Sequence, residues 1–216
     1  MIPKIIWQTY ESSYDDLRYD YKMSSLTWKN LNPEWKYIYC NPEQRRKYVE
    51  NYDKEILKFY DICDGLSQSD IWRWIVLYQY GGVYSDMDSV CNMPLDSMFE
   101  TFPISKDVVC VPITKNILIT GTFAAKKESK VFKNMIEKLA FGKSALWAYE
   151  PIAHIGWSNI FPVILENREN IDFLFMGVIH GSHAGDQFKY TSNFNVKFNG
   201  ETMIYSDLAK LNNWSY

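Results

Sequence analysis

Apolar residues recur at spacings of three and four along Ile71, Trp74, Ile75 and Tyr78, which predicts a buried helix with one apolar face over 69–80. Gly81 and Gly82 then supply the turn that ends it. Val83 and Tyr84 begin a short apolar strand, and two acids follow it, Asp86 and Asp88, with Met87 between them. If strand alternation continues, both carboxylates face one side and Met87 the other. Asp70 and Arg73 stand three apart near the helix start, so they share a different face and can point together into a site.

The same patterning organises the rest of the chain. Ile2 to Gln8 predicts a first strand, 10–20 a polar loop, Leu17 to Leu31 a helix ended by Asn32-Pro33, and Trp35 to Cys40 a second strand. Pro42 opens another helix, Asp53 to Tyr60 a short one, and Asp64-Gly65 a turn into the central helix. Arg45, Arg46 and Lys47 form a small basic run that reads as a solvated face. Val108–Ile113 and Ile117–Ala124 predict a hairpin, and Ser129–Phe141 a helix capped by Gly142. Ile155–Glu166 reads as a helix kinked near Pro162. Phe173–His180 reads as one buried strand, and the tail from Thr191 as irregular strands and a short last helix.

The candidate chemistry centres on the acids. Paired carboxylates suit a hard divalent ion, Mn²⁺ or Mg²⁺, and not zinc, which favours Cys and His. An ion held by one or two carboxylates completes its shell with water and substrate phosphate oxygens. That points to a phosphorylated or nucleotide-linked substrate.

The run Ser69-Asp70-Ile71-Trp72-Arg73, with Leu77-Tyr78-Gln79-Tyr80-Gly81-Gly82-Val83-Tyr84-Ser85-Asp86-Met87-Asp88, resembles the signature of the DXD glycosyltransferases. This sugar-binding-region family includes initiating mannosyltransferases, capsular polysaccharide transferases and, distantly, glucosylating toxins. The resemblance implies a single α/β domain of the GT-A nucleotide-sugar transferase type over 1–216, its central sheet mostly parallel and flanked by helices. Its nucleotide-binding half would span about 1–90 and its acceptor-side half about 91–216. The implied partners are a UDP- or GDP-linked sugar and a glycan or glycoconjugate acceptor. In that frame Asp88 ligates the metal, and Asp86 binds the ribose or the metal through water. Asp70 accepts from the sugar hydroxyls, Arg73 holds Asp70 or reaches the sugar or phosphate, and Tyr84 shapes the ribose pocket. Pro3-Lys4-Ile5-Ile6-Trp7-Gln8-Thr9 resembles the family's opening strand, which would set Trp7, Gln8 and Thr9 near the base; Trp7 reads equally as core. The rule that ligands bind beyond the carboxyl ends of parallel strands favours the same end.

Two stretches depart from the family pattern. Glu150 stands before Pro151 where a Gly is usual, and Asp186-Gln187 replaces a common Ser-Trp. His180 or His183 is expected near the metal or β-phosphate, His183 from a Gly-rich loop; either also reads as an ordinary surface or core residue. The family is generally retaining with no uniform nucleophile, and Glu150 and Asp186 are candidate bases by type and region only.

Composition narrows the alternatives. With 216 residues and a formal charge of -3, the chain is long enough for one sizeable domain and shows no nucleic-acid footprint. Its four cysteines form no Cys-x-x-Cys pair, which supports neither a zinc site nor a redox motif. No signal peptide or membrane segment is read, so a soluble, cytoplasmic chain is expected, either a minimal virus-encoded member or one module of a larger transferase. Two other functions fit paired acids: a metal-dependent nucleotidyl or phosphoryl transferase, and a carbohydrate-binding module with a structural metal. The first usually needs a second acidic pair at the end of another apolar strand, and no P-loop is present.

Overall fold

A computed structural model describes residues 1–101, 106–110, 121–141, 167, 170–173, 178–180, 195–198 and 201–204. Three parallel strands start the sheet: β1 (Ile5–Thr9), β2 (Lys36–Cys40) and β3 (Gly82–Ser85). Between them run α1 (Tyr19–Leu31), then α2 (Pro42–Tyr52), α3 (Lys54–Tyr60) and α4 (Gly65–Tyr80). Beyond β3 come β4 (Ser89–Cys91), α5 (Leu95–Thr101), β5 (Val108–Cys110), β6 (Thr122–Ala125) and α6 (Lys130–Phe141). The later strands are β7 (Ile171–Phe173), β8 (Val178–His180), β9 (Asn195–Phe198) and β10 (Glu201–Ile204).

The main sheet has the order β2-β1-β3-β6-β5-β7. β6 runs antiparallel to both its neighbours, β3 and β5, while β7 is parallel to β5. Every other strand of this sheet therefore points one way, and the expectation of a mostly parallel sheet holds with β6 as the exception. The antiparallel β5–β6 pair agrees with the expected hairpin, whose connecting residues lie outside the described ones.

Strand alternation sends side chains into two cores. Trp7 and Tyr84 project to one face, where they meet Val49, Ile56, Trp72, Ile75 and Phe132 from α2, α3, α4 and α6. Ile6, Val83 and Ala124 project to the other, against Trp28, Leu95 and Met98 from α1 and α5. Helices thus cover both faces, as an α/β fold requires.

Three expectations need correction. α4 begins at Gly65, not after it, because the Asp64 side chain accepts from the Ser67 amide and caps the helix. The expected burial of this helix holds: Asp70 to Leu77 are all buried, since helices and sheet enclose it. The stretch Phe173–His180 is two strands in different sheets, β7 beside β5 and β8 beside β4. The basic run is not uniformly solvated: Arg46 pairs with Asp61 and Lys47 with Glu43 at the surface, but Arg45 is fully buried.

The break between α4 and β3 depends on two glycines with positive φ, 67° at Gly81 and 102° at Gly82. A Cβ on Gly82 would also stand 2.5 Å from the Ile5 carbonyl oxygen of the neighbouring strand. Gly82→Ala is therefore expected to cost about 2–4 kcal/mol, read as a fall in the chemical-denaturation midpoint. A variant as stable as wild type would show that the chain turns here without the glycine.

Candidate active site

β1, β2 and β3 end at one edge of the sheet. Thr9 pairs with Cys40 and Trp7 with Tyr84, so their carboxyl ends lie side by side. Asp86 follows the last strand residue directly. Alternation does not continue to Asp88. The Ser89 amide donates to the Asp86 carbonyl at 3.1 Å, closing residues 86–89 into a turn. Met87 is buried against Leu17 and Tyr21, which sets its direction.

The turn is pinned on all sides. The Asp86 amide donates to the Gly121 carbonyl at 2.7 Å, and Gln8 Nε2 donates to the Asp86 carbonyl at 3.1 Å. From α1, Ser24 Oγ and Trp28 Nε1 both donate to the Ser89 carbonyl, at 2.6 and 2.7 Å. Thr27 Oγ1 accepts from the Cys91 amide at 3.0 Å. These α1 residues were not singled out from the sequence as site residues. The sign was there in the recurrence Ser24, Thr27, Trp28, a polar and aromatic stripe at helical spacing.

The central charges form one network. Arg73 donates to Asp70 within the buried face of α4 and lies 3.5 Å from Asp86 Oδ1. Tyr84 Oη donates to the same Asp86 oxygen at 2.5 Å. The Arg73 guanidinium carbon sits 4.6 Å from the centroid of the Tyr84 ring, a cation–π contact that fixes its plane. The sequence placed Asp70, Arg73, Tyr84, Asp86 and Asp88 as candidates, and the structure brings them to one corner of the sheet.

Electrostatics follow from this enclosure. Burial pushes the Asp70 carboxyl up to about 6; Arg73 opposes that rise, while Asp86 and Asp64 add to it. Burial disfavours the Arg73 charge too, yet Asp70, Tyr84 and Asp86 hold it firmly protonated. Burial, then the Asp86 charge, pushes Asp88 up to about 8. Two carboxylates on one four-residue turn, one raising the other, make an oxygen site that a hard cation would relieve. Among the described residues no group of three or more His, Cys, Asp or Glu could complete a cage. Paired carboxylates of this kind suit a hard ion that also takes ligands from water and phosphate.

The other candidates fall as follows. Trp7 is in the core; its indole donates to the Gly81 carbonyl at 2.9 Å. Gln8 is buried; its Oε1 accepts a hydrogen bond from the Tyr37 hydroxyl at 2.7 Å while its Nε2 holds Asp86. Thr9 donates to the Cys40 carbonyl at 2.5 Å, tying the ends of β1 and β2. In the β4–β8 register His180 lies across from Ser89, the residue after Asp88. His183, Glu150 and Asp186 lie outside the described residues.

The stretch that builds this corner is similar to known proteins. Residues 20–103 match the family model "Glycosyltransferase sugar-binding region containing DXD motif". Inositol phosphoceramide mannosyltransferase 2 of Schizosaccharomyces pombe is 31% identical over 99 residues, 45% of this chain and 28% of its own. An initiation-specific alpha-1,6-mannosyltransferase of Candida albicans is 31% identical over 100 residues, 44% of this chain and 26% of its own. The chain thus spans little more than a quarter of the length of these relatives. In fold, it resembles the ligand-free glycosyltransferase domain from the YGT toxin, with a TM-score of 0.56, 8% identity and 80% of each chain covered. No helix among the described residues is long and apolar enough to cross a membrane. The fold is of the GT-A type, and residues 20–103, which include the acidic turn, are similar to the glycosyltransferase sugar-binding region containing the DXD motif.

Proposed function

We propose that this protein transfers a sugar, with mannose the first candidate, from a UDP- or GDP-linked donor to a hydroxyl of a glycan or glycoconjugate. The observation that carries the reading is the single turn bearing Asp86 and Asp88, set at the carboxyl edge of the sheet beside the buried Asp70–Arg73 pair. The two curated relatives, both named as mannosyltransferases, support the choice of sugar.

Each side chain has a task that its surroundings favour. Asp88 and Asp86 would hold Mn²⁺ or Mg²⁺, which when bound supplies positive charge beside the diphosphate leaving group. Asp86 is oriented for this by Tyr84 and Arg73. Arg73 leaves Asp70 ionised at neutral pH and fixed in direction, ready to accept from sugar hydroxyls. A carboxylate held in this way costs little to reorganise as the anomeric bond breaks. Gln8 and the α1 donors keep the acidic turn from opening when its charges repel.

The test is a panel of UDP- and GDP-linked hexoses incubated with the protein and Mn²⁺, Mg²⁺ or EDTA, with release of the free nucleotide followed by chromatography. One donor should be consumed in the presence of metal, and EDTA should suppress this by about 10²-fold or more. If every sugar nucleotide stays intact under all conditions while immobilised glycans are retained, the carbohydrate-binding alternative replaces this reading. Cleavage of nucleoside triphosphates in place of sugar nucleotides would favour the nucleotidyl transferase.

A further inference from the structure

Arg45 is the one basic residue of its run that turns inward, and the site described above does not use it. Its side chain is fully buried between α2, β1 and α4. It donates through Nη1 to Thr9 Oγ1 at 3.1 Å and to Ser69 Oγ at 2.5 Å. Through Nη2 it reaches Glu11 Oε1 at 2.6 Å. Thr9 is the last residue of β1, and its own hydroxyl donates to the end of β2. Ser69 immediately precedes Asp70. Glu11 lies over the first turn of α4, so close that a Cβ on Gly65 would stand 2.8 Å from its carboxylate. One guanidinium thus joins the ends of two strands, the loop beyond β1 and the turn of α4 that carries Asp70. A planar fork holds these three acceptors in fixed directions from two separate nitrogens, where the single nitrogen of an ammonium holds them less rigidly.

We propose that Arg45 is a positioning residue for sugar transfer. It sets the height and rotation of the α4 turn that presents Asp70 and Arg73 to the donor, relative to the sheet edge that presents Asp86 and Asp88. The proposal rests on the transferase reading above. Fold stability alone does not require a charge at this position. Glu11 is half exposed and can be solvated without its partner, and an apolar side chain of similar length fills the same space. What an apolar side chain would lose is the link between Thr9 and Ser69. A shift of about 1 Å in a group that orients substrate can cost about 10²-fold in turnover. Metal and diphosphate binding, made at Asp86 and Asp88, should be nearly untouched.

The experiment compares wild type with Arg45→Met, Arg45→Lys and Ser69→Ala. Donor kinetics are measured on the full chain, together with hydrogen exchange of the peptide spanning 65–73. Arg45→Met should fold and lose about 10²-fold in kcat with donor KM within about threefold, and its 65–73 amides should exchange faster. Arg45→Lys should recover part of the kcat, and Ser69→Ala, which removes only the α4 arm of the junction, should lose about tenfold. Unchanged exchange at 65–73, or faster exchange with wild-type kcat, overturns the positioning role. If Arg45→Met does not fold, Ser69→Ala decides by the same two readouts. A wild type inactive on every sugar nucleotide would instead overturn the transferase reading itself, and with it the catalytic role given to Arg45.

Discussion

Asp88→Asn should abolish sugar transfer and yet make the metal-free protein more stable. The substitution keeps the shape of the side chain and removes its charge. Without that charge the acidic turn loses its ability to hold a divalent ion, and a loss of about 10³-fold or more in kcat/KM is expected, about 4 kcal/mol of transition-state stabilisation. The stability effect has the opposite sign. Burial and Asp86 raise the Asp88 carboxyl from 3.8 to about 8, so between these values the folded chain binds more protons than the unfolded one. Stability is then highest below about pH 4 as far as this group is concerned, and falls as pH rises towards 8. An amide pays no such penalty. At pH 8 in EDTA the variant should gain about 2–5 kcal/mol over wild type, roughly 5–15 °C in Tm for a chain of this size, and at pH 4 nearly nothing. Thermal melts across this range check it, and a variant less stable than wild type at pH 8 would show that Asp88 is not under electrostatic stress. Added Mn²⁺ should narrow the gap, because the ion binds the deprotonated wild type and not the variant.

Arg73→Ala is expected to have the largest effect on the fold. Arg73 and Asp70 form an ion pair with side chains almost wholly buried, and Arg73 also faces Asp86 and the Tyr84 ring. Breaking a buried pair by deleting one partner usually costs about 3–5 kcal/mol, because the survivor remains desolvated. Here the survivor is Asp70, already raised to about 6 with Arg73 present. Removing the guanidinium lets that value climb further, so the loss of stability should grow with pH from about 4 upward and be smallest in acid. Turnover by the folded fraction should fall by about 10²–10³-fold, since Asp70 loses both charge and direction. Arg73→Lys, which keeps a charge but not the fork, should lie between. Equal destabilisation at pH 5 and pH 8 would show that Arg73 does not hold Asp70 ionised.

Much of this corner was legible in the sequence because its residues are close along the chain. Asp70, Arg73, Tyr84, Asp86 and Asp88 fall within one helix–Gly-Gly–strand unit, and local spacing decides which faces they share. The Gly81-Gly82 break was equally plain, since only a residue without Cβ accepts that backbone so near another strand. Arg45 was misread because nothing local distinguishes it from Arg46. Its burial is decided by Thr9, Glu11 and Ser69, which other elements deliver. The turn after Asp86 was hidden for a similar reason: Ser24, Trp28 and Leu17, all distant in sequence, decide that the strand stops there. The burial of α4 was legible too, from its run of apolar and aromatic residues, and α2, α6 and the sheet supply the surfaces that enclose it.

If Asp86 and Asp88 hold a divalent ion together with the diphosphate of a sugar nucleotide, calorimetric titration with UDP, GDP and their hexose conjugates will show it, in Mn²⁺ and in EDTA, for wild type and Asp88→Asn. Saturable binding of one nucleotide family is expected in Mn²⁺, weakened at least tenfold in EDTA and in the variant alike. Binding of equal strength with and without metal, unaffected by Asp88→Asn, would contradict it.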